Sequence, residues 1–163
     1  TLSMPGWRKG FAVGNEILIG ALEKIKSYLD YGAFTPIQVA AASALSSDPS
    51  TIAKVREVYK KRRNVLVDAM SKAGWEIPSP DATMFAWATI PEKFRSLGSL
   101  EFSKILLKEA DISVAPGIGF GEYGENFVRI GLVENEHRIR QAARNIKAVF
   151  TKADKILSDH SPN

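Results

Sequence analysis

Two arginines sit where a fixed positive charge could do chemistry. Arg129 interrupts an otherwise apolar run, Phe127-Val128-Arg129-Ile130-Gly131-Leu132, and Arg8 follows Gly6-Trp7 at the lip of an expected short strand. A guanidinium is always charged and offers a planar fork that matches a carboxylate or a phosphate. Within an apolar strand such a charge is costly unless something meets it. For Arg129 three partners are open: a bound anion, a structural ion pair, or water at a sheet edge. Other chemistry-bearing patterns are weaker. Gly119-x-Gly121-x-x-Gly124 matches the dinucleotide fingerprint as a string. That fingerprint needs a helix to open inside it, however, and the residues that follow read as a strand. The basic run Lys60-Lys61-Arg62-Arg63 lies mid-helix, where four successive side chains point in four directions, so a solvated helix face is expected. The same holds for Arg138, Arg140, Arg144 and Lys147. His137, at a helix start, and His160, in the tail, are too far apart in sequence to form a helical metal pair. No metal site is expected, and no nucleophile elbow is present.

The elements that must position these residues follow from spacing and punctuation. Trp7 to Gly14 reads as a short strand bounded by glycines. Asn15 is the expected N-cap of a helix that carries Leu18, Ala21, Leu22, Ile25 and Leu29 on one stripe. A loop, Asp30 to Thr35, leads to Pro36 at the start of a second, alanine-rich helix that ends near Leu45. Asp48-Pro49-Ser50 restarts the chain into a long helix with Ile52, Val55, Tyr59, Leu66 and Met70 at helical spacing, and Gly74 is its stop. Thr83 to Ile90 is a strand, Ser99 with Glu101 opens a helix to about Ala110, and Ile112–Ala115 and Phe127–Leu132 are strands around a glycine-rich loop. A last helix runs from near Glu136 past Phe150, and the tail from Ser158 to Asn163 is expected to fray. Strands and helices mixed without strict alternation predict an α+β fold, an α/β sandwich with helices on one side of a small sheet. The seam is expected near Asp48.

Composition narrows the classes. With 163 residues, 45% hydrophobic and 25% charged, the chain has enough apolar surface to offset chain entropy, which argues against disorder. No apolar stretch approaches the roughly 20 residues of a membrane span, and no signal peptide is visible. Having no cysteine excludes disulfides and cysteine-ligated zinc and fits a cytoplasmic setting. The net charge of +4 is mild and permits anionic partners. Neither a nucleic acid nor a membrane is expected among them. The chain begins with Thr1 and not methionine, which reads as a piece of something larger.

Several spaced stretches carry a resemblance. Ser3-Met4-Pro5-Gly6-Trp7-Arg8-Lys9-Gly10-Phe11-Ala12 resembles the segment that follows the cofactor-binding lysine in class I/II, fold type I, aminotransferases. Ser27-Tyr28-Leu29-Asp30-Tyr31-Gly32 and Phe34-Thr35-Pro36-Ile37-Gln38 are similar to the interface loop and helix of the bacterial alanine (glutamate–pyruvate) and LL-diaminopimelate branch. Pro116-Gly117-x-Gly119-Phe120-Gly121, followed by Val128-Arg129-Ile130, resembles the family's carboxy-terminal substrate-binding stretch. The likeness runs from about Leu2 to about Phe150.

The resemblance implies a small C-terminal domain of a fold type I aminotransferase, residues 49–163, after the last strand and helices of its large domain, residues 1–48. It implies pyridoxal 5'-phosphate as cofactor and Arg8 as the residue that binds its phosphate. Arg129 would hold the substrate α-carboxylate, and Tyr31 and Tyr28 would lie on a loop that reaches the neighbouring subunit's pocket in a homodimer. The implied reaction moves an amino group between an amino acid, with alanine favoured, and a 2-oxo acid, the 2-oxoglutarate/glutamate pair. No arginine stands between Tyr28 and Gln38, where the aspartate-selective branch carries one. The Schiff-base lysine would lie directly before Thr1, so no catalytic residue is expected in this chain and it should be inactive alone. The alternative is a stand-alone, non-catalytic α+β module that binds an anionic metabolite through Arg8 and Arg129.

Overall fold

The first long element is set by one side chain. Asn15 Oδ1 accepts hydrogen bonds from Ile17 N (3.0 Å) and Leu18 N (3.3 Å), satisfying two of the amides that a helix start leaves open. Helix α1 follows, Glu16–Leu29. The structure, a computed structural model, describes residues 4–160. Helix α2, Thr35–Leu45, has Pro36 in its first turn, where the missing N–H costs nothing. Asp48 then accepts from Ser50 N (2.9 Å) and Ser50 Oγ (2.6 Å) at the start of α3, Ser50–Lys72. The chain divides inside α3 into two compact units, Thr1–Arg56 and Glu57–Asn163.

In the first unit no described residue is buried. Ile17, Leu18, Leu22, Ile25 and Leu29, which include most of the stripe predicted for α1, are all exposed. The strand expected over Trp7–Gly14 does not form. Instead Pro5–Trp7 is a single 3-10 turn, closed by Trp7 N to Met4 O (3.3 Å) and Arg8 N to Pro5 O (3.3 Å), and residues 8–15 have no regular structure. A strand is held by ladder bonds to a neighbour, and this unit has no second strand among its described residues.

The second unit contains the core. Strands β1 (Phe85–Thr89), β2 (Ala115–Pro116) and β3 (Phe127–Gly131) form an antiparallel sheet in the order β1-β3-β2. The strand expected at Ile112–Ala115 is shorter and later, because only Ala115 and Pro116 pair with β3. Helix α4 is Gly98–Ala110 and α5 is Glu136–Thr151. Beyond Thr151, α6 (Ala153–His160) carries helix into the tail expected to fray, while residues 161–163 lie outside those described. Gly74, at φ +89°, ends α3, with Trp75 N returning to Met70 O (2.9 Å).

Pairing puts Ala88 opposite Val128 and Ala86 opposite Ile130, and alternation sends all four side chains to one face. Ala86, Ala88 and Val128 are fully buried there, in one cluster with Phe102, Ile105 and Leu106 of α4 and Ile139, Ala143, Ile146 and Val149 of α5. Trp75 packs edge-on against Phe102 and Phe150, and its indole N–H donates to Thr89 O (2.8 Å), so the buried donor is satisfied. The fold is α+β, with its helices on one side of a small sheet. The opposite face of that sheet carries Phe85, Trp87, Phe127 and Arg129.

Candidate functional site

Arg129 occupies the middle of β3, the central strand, directly opposite Trp87 on β1 and Ala115 on β2. It is half-buried. Its guanidinium carbon lies 4.2 Å from the ring centre of Phe85 and 4.5 Å from that of Phe120. Among the described residues no carboxylate is within ion-pair distance of Arg129, and its side chain makes no hydrogen bond. Of the three partners left open by sequence, the edge position is ruled out by the central strand, and no structural ion pair forms among the described residues. The ring faces offer partial negative potential, about 0.5–2 kcal/mol per contact, and leave the guanidinium donors unused. The surround continues through Trp87, stacked on Phe127 (5.6 Å) and edge-on to Phe120 (5.5 Å).

Phe120 belongs to the glycine-rich loop. Two 3-10 turns, Gly117–Phe120 and Glu122–Gly124, make up this segment, and β3 follows. No helix opens on Gly119-x-Gly121-x-x-Gly124, so the arrangement that a dinucleotide phosphate requires is not built here. The loop is pinned from α4. Ser99, fully buried, donates its hydroxyl to Glu125 Oε2 (2.8 Å) and its N–H to Glu125 Oε1 (3.2 Å), and its Oγ accepts from Ile118 N (3.0 Å). Ser99 was expected to open the helix as a cap. It sits one residue inside α4 instead, and Glu125, 26 residues away in sequence, supplies the negative charge at the helix start. At the loop's neck Gly117 and Gly124 lie backbone against backbone, and a Cβ on either would collide with the other's carbonyl.

The remaining predicted site residues lie in the first unit. Arg8 is not at a strand lip. It caps the 3-10 turn in the left-handed region (φ 50°), is exposed, and its side chain has no hydrogen-bond or ion-pair partner among the described residues. Tyr28 is in the last turn of α1 and not on a loop, whereas Tyr31 is on the loop, and both are exposed. Between them Asp30 accepts from Lys26 Nζ (2.6 Å) and Gly32 N (2.8 Å), tying the helix end to the turn that bears Tyr31. The Lys26 ammonium first, and the Gly32 N–H second, hold the Asp30 carboxyl below the usual carboxylate range.

The basic run is part framework. Lys60 and Lys61 are exposed, but Arg62 donates to Leu132 O (3.1 Å) and Val133 O (3.0 Å) just past β3, and Arg63 reaches Pro80 O (3.4 Å). Half of the expected solvated face thus ties α3 to neighbouring loops. His137, Arg138, Arg140, Arg144 and Lys147 are exposed on α5. Among the described residues no group of three or more His, Cys, Asp or Glu could hold a metal ion, and no helix is long and apolar enough to cross a membrane.

Comparison with known proteins identifies the family. The model of aminotransferase class I and II matches residues 1–146, and the chain belongs to that family. It is 69% identical to AatC of Rhizobium meliloti over 157 residues, 96% of this chain and 39% of that protein. It is 55% identical to the glutamate-pyruvate aminotransferase AlaC of Escherichia coli over 155 residues, 95% of this chain and 37% of that protein. Among solved structures, substrate-bound BacF of Bacillus subtilis superposes with a TM-score of 0.81 at 36% identity, over 90% of this chain and 37% of that one. The chain therefore spans about two fifths of the length of the relatives it matches. Enzymes of this family depend in general on pyridoxal phosphate.

Proposed function

We propose that the chain forms the carboxy-terminal part of a pyridoxal-phosphate aminotransferase, in which Arg129 holds the α-carboxylate of the amino acid and of the 2-oxo acid. The observation that carries this reading is a half-buried guanidinium on a central strand with no anion of its own. A carboxylate arriving there finds a charged fork on a fixed strand, which orients the Cα–H bond for proton removal. Arg8 suits the cofactor's phosphate in type and state, being an exposed guanidinium without a partner on a locally closed turn. When bound, the cofactor supplies an electron sink for the charge left by the departing proton. Tyr28 and Tyr31, held by the Asp30 turn, present phenol groups that suit a pocket shared with a second subunit, as a homodimer would provide. The proton acceptor of this reading, a Schiff-base lysine, is not among the residues it assigns in these 163, and the 163-residue chain by itself should not transaminate. Alanine with 2-oxoglutarate is the substrate pair this reading favours. It rests on the likeness to AlaC and on the lack of a second arginine between Tyr28 and Gln38. A cytoplasmic location accords with these soluble substrates.

The test is kinetic. In the complete gene product Arg129→Gln should lower kcat/KM for alanine about a hundredfold, the equivalent of losing a charged hydrogen bond worth ~2–3 kcal/mol. The 163-residue chain, given pyridoxal phosphate and both substrates, should show no turnover. Unchanged kcat/KM in the variant would remove Arg129 from the site. A complete product that binds 2-oxoglutarate yet fails to transaminate would favour a non-catalytic anion-binding module.

A further inference from the structure

We infer that Phe85 and Phe120 are positioning residues that hold the Arg129 side chain ready for a carboxylate. The inference rests on the reading of Arg129 as a carboxylate site and adds how that site is kept in order while empty. An arginine without a counter-ion sweeps many rotamers, and each must be given up when a ligand binds. Here the guanidinium carbon is within 4.2 Å and 4.5 Å of two ring centres, close enough for both quadrupoles to attract it. Rings also leave the N–H fork free, which a carboxylate partner in the protein would not.

Each ring is fixed by a separate local device. Phe85 follows Thr83, which holds a left-handed backbone at φ 73°, an uncommon state for a β-branched residue. The Thr83 hydroxyl accepts from Phe85 N (3.0 Å) and donates to Phe85 O (3.2 Å), clasping the residue at the start of β1. Phe120 stands two residues beyond Ile118, whose N–H is bonded to buried Ser99. Ser99 is in turn bonded twice to Glu125 beyond the loop's neck. Strain at Thr83 and a buried polar network at Ser99 thus converge on the two rings that touch one cation.

The test reads order and binding separately on the 15N-labelled 163-residue chain, using relaxation of the Arg129 Nε–Hε pair and titration with 2-oxoglutarate. Phe120 is 52% exposed, so Phe120→Leu should leave the core intact, and the unchanged melting curve of the second unit would confirm it. In Phe120→Leu the Arg129 side chain should become markedly more mobile without ligand, and 2-oxoglutarate should bind about tenfold more weakly, with Phe120→Tyr restoring both. Wild-type Arg129 order in Phe120→Leu would overturn the inference and leave the carboxylate reading standing. Arg129→Gln should abolish the titration. If it does not, or if the wild-type chain does not titrate, the carboxylate reading fails, while the relaxation data still decide whether the rings order the side chain.

Discussion

The two units are built from similar helices and held in different ways. In Glu57–Asn163, α4 and α5 close over one sheet face and bury a continuous cluster from Leu66 to Ile156. In Thr1–Arg56, α1 and α2 carry comparable apolar side chains and bury none of the described ones. Their visible support is local: the Asn15 cap, Pro36, the Lys26–Asp30–Gly32 clasp and the Asp48–Ser50 bonds. Amphipathic pattern alone therefore does not tell which helix has a partner. A stripe is a demand for a surface, and in this chain one unit answers it internally and the other does not.

That contrast can be broken most forcefully in the core. Phe102→Ala should cost about 3–5 kcal/mol, since the ring is fully buried against Trp75 and Phe94. The measurement is the urea midpoint by near-ultraviolet circular dichroism, with amide exchange of α1 followed in parallel. Exchange in α1 should not change, and a rise in step with core unfolding would show that the units are not independent. A smaller effect of opposite placement is expected from Asn15→Ala, about 1 kcal/mol of helix stability. Amides of α1 should exchange faster while the midpoint of the second unit stays fixed. The smallest effect sharpens the local side of the comparison. The Asp30 and Asp48 carboxyls are both held low, Asp30 by Lys26 and Gly32 and Asp48 by the Ser50 hydroxyl and N–H. A carboxyl whose folded pKa is depressed adds stability that is complete above its unfolded value, near pH 4, and lost as pH falls through the folded one. Between pH 5 and about pH 2, α-carbon shifts at the end of α1 and the start of α3 should drift toward coil values. Shifts that stay helical would assign those ends to support other than the two carboxylates.

Much of the framework was legible because its causes are short-range. Asn15, Pro36, Asp48 and Gly74 each act within a turn of their own position, and the helices begin or end where those residues place them. The failures have long-range causes. Trp7–Gly14 has strand composition but no ladder partner among the described residues of its unit, and Ile112–Ala115 is cut to the part that pairs with β3. Arg129 stood out from sequence because a charge in an apolar run needs an explanation. The two rings that meet it come from positions 85 and 120, and no spacing rule links them to residue 129. Ser99 with Glu125 was hidden for the same reason. The alternation of Phe85 and Trp87 was the available signal that β1 offers an aromatic face beside whatever strand pairs with it.

The neck formed by Gly117 and Gly124 sets a rule for how the loop can vary. Any side chain at either residue would push the two backbones apart, so both positions are closed to substitution without displacement of the loop. Between them Ile118, Gly119, Phe120, Gly121, Glu122 and Tyr123 are all exposed. The side chains of Ile118, Glu122 and Tyr123 can be exchanged with little penalty to the fold, whereas Gly121, at φ +116°, resists any side chain. The loop is thus a fixed frame around an editable panel, and the molecule can alter what Ile118, Glu122 and Tyr123 show while Phe120 keeps its place against Arg129.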